Sequence, residues 1–292
     1  MCDEDTVIEG NSYLAQETKM GRRDFNKLAV GAAAILMLPP VANALEVVGH
    51  DVMVNTPDGD ADCYFVHPAK GKHPGVIIWP DILGLRPAFR LMGERLAKSG
   101  YSVLVVNPYY RSARSPVIEP GASFQDAKTR NRVMPYYRAL SAETNVTDAK
   151  AYVAYLDAQN AVDVKRKIGT TGYCMGGPMV MRTAAALPER IGAGGSFHGS
   201  GLVTNDAESP HLLIKNMQAD LLIAVAANDD ERAPNDKEVL RKTAAKYGLK
   251  AEIEVYEGAM HGWCPPDSRV YHEKQAEQAW VRLLHTFENA LG

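Results

Sequence analysis

Short, wholly apolar runs alternate along most of this chain with longer stretches in which apolar residues recur every three or four positions. Gly75 to Trp79 (GVIIW), Tyr101 to Val106, the glycine-rich Ile191 to Phe197 and Leu221 to Ala227 (LLIAVAA) have the continuous pattern of strands buried on both faces. Phe89, Met92 and Leu96, and later Val146, Ala149, Val153 and Leu156, have the spacing of one buried helical face. The first of these helices starts at Pro87, a favoured first helical position, and stops at Gly100; the second is capped by Thr144 or Asn145. Further helices are predicted over Asp236 to Tyr247 and Tyr271 to Leu291, with a strand from Glu252 to Tyr256 between them. Leu45 to Val66 alternates apolar and polar positions around Pro57-Asp58-Gly59, the signature of an antiparallel hairpin. Strands and helices in this alternation predict an α/β domain with a mainly parallel central sheet covered on both faces. Ser112 to Leu140 breaks the pattern with Pro116, Pro120, Gly121 and four arginines, and reads as a long excursion, helical from about Phe124. No repeat, linker or low-complexity block divides residues 45–292, so a single domain is expected.

The first 44 residues belong to a different pattern. Arg22-Arg23, with Phe25 and Lys27 behind them, precede an apolar run from Leu28 to Leu38, and Ala42-Asn43-Ala44 then offers a small-residue cleavage site. This segment resembles a bacterial twin-arginine export signal. The resemblance implies handling by the twin-arginine translocase and a signal peptidase, a periplasmic destination and Leu45 as the new N-terminus. The alternative is an amphipathic N-terminal helix with an incidental arginine pair. The apolar run is too short for a permanent membrane-spanning helix.

Composition narrows the function by exclusion. The 292 residues are 46% hydrophobic and 23% charged with a formal net charge of −3, which suits an ordinary core and leaves no basic footprint for nucleic acid. The four cysteines, Cys2, Cys63, Cys174 and Cys264, lack C-x-x-C or zinc spacing. Cys63, in the second strand of the hairpin, is expected to be a packing residue.

Chemistry concentrates in Lys167 to Leu187, KIGTTGYCMGGPMVMRTAAAL. A short buried strand ends at Tyr173, an alanine- and methionine-rich helix continues from Pro178, and Gly172-Tyr173-Cys174-Met175-Gly176 joins them. That G-x-C-x-G turn is a nucleophile elbow with cysteine in place of serine. Glycines are needed because a side chain would collide across so sharp a turn, and the helix N-terminus favours the reactive thiolate. Asn228-Asp229-Asp230 then supplies an acid at a strand end, and Gly258-Ala259-Met260-His261-Gly262 supplies a histidine in a glycine-rich turn. Nucleophile, acid, histidine is the chain order of α/β-hydrolases.

Four pieces together resemble the dienelactone hydrolase family of that superfamily. They are Pro80-Asp81-Ile82-Leu83-Gly84-Leu85, the cysteine elbow, Asp230-Glu231-Arg232-Ala233-Pro234 and Gly258-Ala259-Met260-His261-Gly262-Trp263. The resemblance covers most of residues 75–290. It implies an α/β-hydrolase fold that cleaves a carboxylic ester or lactone without a metal or organic cofactor. It casts Cys174 as nucleophile, His261 as general base and acid, and Asp230 as the carboxylate that orients His261. The backbone N–H groups of Met175 and Ile82 form the oxyanion hole in this scheme.

Several assignments have rivals. Asp229 is the neighbouring candidate for the acid, with Asp230 favoured by the proline four residues on. His198, at the end of a predicted strand, fits the chain order badly as the base and is expected to line the pocket; the remaining histidines look like surface or turn residues. Two departures from the family pattern make the dienelactone itself an unexpected substrate. Asp81 stands where members commonly have glutamate, and it either lies near the nucleophile or only caps its loop. Pro265 stands where the best-known members have a carboxylate-binding arginine, which leaves Arg130 as the candidate for the other such arginine. Cys264 either packs under its turn or pairs reversibly with Cys174. The leading reading is an exported ester or lactone hydrolase acting through a thioester. The alternatives are a non-hydrolytic thiol sensor of oxidants or electrophiles on the same fold, and a metal module of Cys174, His261 and Cys264.

Overall fold

The computed structural model describes residues 37–291. The arginine pair and the apolar run up to residue 36 lie outside the described residues. Leu38 already packs against the domain, in a small cavity with Met92, Tyr173 and Trp280.

Among the described residues, eight strands form one sheet in the order β1-β2-β4-β3-β5-β6-β7-β8. The hairpin β1 (Val47–Thr56) and β2 (Gly59–Pro68) is antiparallel, and β2 also pairs antiparallel with β4 (Ser102–Val105). The other pairings, through β3 (Gly75–Trp79), β5 (Ile168–Tyr173), β6 (Ile191–Phe197), β7 (Asp220–Ala226) and β8 (Ala251–Tyr256), are parallel. Every residue of β3, β4, β5 and β6 is buried, which is why their sequences carry no polar alternation.

Helices cover both faces. Helix α1 (Pro87–Lys98) and the closing α7 (Glu273–Leu291) pack Phe89, Met92, Ala279 and Leu283 on one side. Helices α3 (Ala142–Asp157), α4 (Gly176–Ala186) and α6 (Asp236–Tyr247) pack Tyr152, Val180 and Leu240 on the other. The excursion contains one helix, α2 (Ala127–Arg138), and a short α5 (Ala227–Arg232) follows β7. No described helix is long and apolar enough to cross a membrane.

Two expectations move. Helix α3 starts earlier than expected: Ser141 is its cap, and Thr144 is the third helical residue of a capping box that returns a bond to the Ser141 backbone. Asn228-Asp229-Asp230 lies inside α5 rather than on a bare strand end.

The parallel register decides where chemistry can gather. Trp79 is level with Gly172, Gly172 with Ser196, Phe197 with Ala224, and Ala226 with Tyr256. The carboxyl ends of β3, β5, β6, β7 and β8 therefore open on one edge of the sheet, where open α/β folds place their ligands.

Candidate active site

The elbow is a backbone solution to a steric problem. Cys174 has φ of +54°, a conformation that costs a non-glycine residue about 1–3 kcal/mol and persists only where its surroundings impose it. Here the surroundings are glycines. A Cβ on Gly172 would lie 2.2 Å from the Gly176 carbonyl oxygen, and one on Gly176 would lie 2.4 Å from that of Trp79. The second contact presses the start of α4 against the end of β3, so the Met175 and Ile82 backbones come from touching segments. Tyr109 ties these segments together. Its hydroxyl donates to the Ile82 carbonyl at 2.9 Å and lies 3.1 Å from Met175 Sδ.

The Cys174 N–H is held from the neighbouring strand. It donates to the Phe197 carbonyl at 3.0 Å and to His198 Nδ1 at 3.1 Å. His198 is itself at positive φ (+40°) and almost fully buried, and it lines the same pocket as Cys174. Burial, with the nearby His261 adding to it, pushes its pKa well below the ordinary range, so the ring is neutral. A neutral ring that accepts at Nδ1 carries its proton on Nε2. The pocket-lining expectation for His198 agrees with this placement.

His261 is oriented by Asp229. His261 Nδ1 lies 2.7 Å from Asp229 Oδ2, and its backbone N–H donates to Asn228 Oδ1 at 2.8 Å. A further bond from Ala227 N–H to the Ala259 carbonyl fastens α5 to the histidine loop. Burial works against the Asp229 charge, but His261 and its hydrogen bond, together with His198 and Arg232, outweigh it and hold the carboxyl below its usual range.

Asp230 is therefore corrected as the partner of His261. Its carboxylate is engaged by Lys237 Nζ at 2.6 Å from both oxygens. The reason is helical phase: successive side chains of a helix diverge by about 100°, so two adjacent aspartates cannot face one group.

The other candidates separate. Asp81 lines the pocket, but its carboxylate is occupied by Arg86 and by the Leu83 N–H, which makes it a loop clasp. Arg130 is not among the pocket-lining residues. Its Nη1 donates to the carbonyls of Phe124 and Gln125, which fixes the loop ahead of α2. Cys63 and Cys264 are free and buried, and burial pushes both thiols up. Cys264 packs beside Tyr173, Phe197 and Leu283 in the core under α7, so it neither pairs with Cys174 nor joins it and His261 in a ligand set. Among the described residues no cluster of three or more His, Cys, Asp or Glu has a metal-holding arrangement.

Sequence reasoning missed Asn228, Tyr109 and the Arg86–Asp267 pair. Asn228 directly precedes the acid, a signal that was legible. Nothing local marks Asp267, which meets Arg86 across 181 positions.

The comparisons agree with this architecture. Residues 61–291 match the model of the Dienelactone hydrolase family. A curated Synechocystis protein named "Putative carboxymethylenebutenolidase" is 29% identical over 233 residues, covering 78% of this chain and 91% of that protein. The crystal structure of a "Putative Dienelactone Hydrolase" from Klebsiella pneumoniae superimposes with a TM-score of 0.71 at 21% identity, over 83% of this chain and 99% of that one. The dienelactone hydrolase-like promiscuous phosphotriesterase P91, from metagenomic libraries, does so with 0.68 at 20% identity, over 84% and 99%. The chain belongs to the dienelactone hydrolase family and has its α/β-hydrolase fold.

Proposed function

We propose that this enzyme cleaves a carboxylic ester or lactone through Cys174, His261 and Asp229. The observation that carries the reading is the His261–Asp229 bond of 2.7 Å, in a site whose pocket is lined by both His261 and the strained Cys174. Cys174 stands two residues before the start of an eleven-residue helix, whose N-terminus favours negative charge on sulfur. Cys174 is disulfide-bonded in this structure; once a thiol reductant has opened that bond, its thiolate attacks the carbonyl carbon, and the electron pair of the C=O moves onto oxygen. The Met175 and Ile82 N–H groups meet that oxyanion, a type of contact worth about 3 kcal/mol per donor in related acyl transfers. Collapse expels the alkoxide, which takes a proton from His261, and leaves a thioester on Cys174. Water then gives a proton to His261 and attacks the thioester; the acid departs and the thiolate is restored. Asp229 keeps the imidazole in one orientation and supports its positive charge through both halves.

The test is steady-state hydrolysis of an aryl ester. Cys174→Ala and His261→Ala are each expected to lose about three orders of magnitude or more in kcat, with no further loss when combined, because the pair acts as a unit. Undiminished turnover in Cys174→Ala would remove the thiol from the mechanism.

A further inference from the structure

Arg86 is the pocket-lining cation closest to full burial, with its side chain 4% exposed. Its five N–H donors make five bonds. Nη1 and Nη2 grip Asp81 at 2.6 and 2.9 Å, Nε and Nη2 grip Asp267 at 2.6 and 2.9 Å, and Nη1 also reaches the Gly84 carbonyl at 3.2 Å. A guanidinium has no sixth donor, so nothing on Arg86 is left for a substrate. The other arginine at the pocket, Arg269, is an exposed residue at the mouth, where it already faces Asp126 and Gln125 at 3.3 Å. Among the lining residues Asp81 and Asp267 match Arg86 and Arg269 in number, and each arginine already faces a carboxylate. The remaining walls include the apolar Ile82, Leu83, Phe124 and Val270.

We infer that the pocket selects an uncharged acyl group and rejects one that carries a carboxylate, because Asp81, Asp267 and the Gly84 carbonyl consume every donor of Arg86 and the two aspartates more than cancel its charge. This rests on the ester or lactone reading above and names its substrate class. Asp267 acts here as a specificity-determining residue through Arg86. Its removal sets donors free and takes away one negative charge.

The experiment compares phenyl hexanoate with monophenyl adipate, which differ by a carboxylate in place of the terminal methyl. Wild-type kcat/KM should favour the hexanoate by about 100-fold, since burying like charges together is costly. In Asp267→Asn the adipate value should rise by about tenfold while the hexanoate value does not rise, as Arg86 gains donors for a charge-assisted bond. A merely structural Asp267 would lower both values together and leave their ratio unchanged. That result, or a wild-type ratio within about threefold of one, overturns the inference. If Asp267→Asn does not fold by circular dichroism, Asp81→Asn releases the other side of Arg86 and is judged by the same ratio. If neither ester is turned over, the hydrolase reading fails, and calorimetric binding of the ketone octan-2-one against 7-oxooctanoate still decides the charge question. Tighter binding of the ketone upholds the inference, and equal or reversed affinities overturn it.

Discussion

The turn after β5 and the turn after β7 each deliver one residue of the proposed triad to the same edge of the sheet, but they hold it by different means. At Cys174 the backbone is fixed by close approaches that only glycine permits: an added Cβ would lie 2.2 Å from a carbonyl oxygen at Gly172 and 2.4 Å from one at Gly176. At Asp229 the backbone is an ordinary helical turn, and the side chain is selected by which neighbour it meets: His261 for Asp229, Lys237 for Asp230. A sterically enforced position tolerates almost no change. A position chosen by pairing can be altered without disturbing the fold.

The steepest consequence is expected at Gly176. A methyl group there would meet the carbonyl oxygens of Trp79 and Pro80, which are backbone atoms and cannot rotate away. Gly176→Ala should cost about 1–3 kcal/mol by overpacking, and its ester hydrolysis should fall by about three orders of magnitude as the two oxyanion segments part. Thermal melting beside kcat/KM checks this. Retained activity with an unchanged melting temperature would show that the elbow is not sterically enforced.

A smaller and cleaner effect separates the aspartates. Asp229→Asn should lower kcat by about two orders of magnitude or more with little change in melting temperature, because the amide cannot support the imidazolium. Asp230→Asn should stay within about twofold, since its partly exposed pair with Lys237 is worth at most about 1 kcal/mol. The reverse order in paired assays would return the acid to Asp230.

The contrast also explains what could be read from the sequence. The buried strands announced themselves because residues such as Val76, Ile77 and Ile78 have no polar neighbours within their runs. The elbow was legible because its glycines are compulsory and adjacent, and His261 because its turn shares that local character. The choice between Asp229 and Asp230 was not legible, because it depends on the rotation of a six-residue helix that appeared to be a strand end. Arg130 has the charge of a substrate clamp, yet its guanidinium serves the loop carbonyls of Phe124 and Gln125. Arg86 and Asp267 escaped notice for a related reason: each is an unremarked charge in its own loop, and only the fold brings the loops together. Cys264 shows the converse, since proximity in sequence to His261 did not place it at the chemistry.

The central claim is that the acyl group passes through sulfur on Cys174, and the most direct measurement is the mass of the enzyme caught in that state. The enzyme, with Cys174 reduced to the thiol, is mixed with a saturating aryl ester, quenched in acid within the first turnover, and digested for peptide mass spectrometry. The account predicts one added acyl group per chain, on the peptide that holds Cys174, lost on treatment with hydroxylamine and absent from Cys174→Ala. An acyl group on another residue, or first-turnover product release by Cys174→Ala at the wild-type rate, would contradict it.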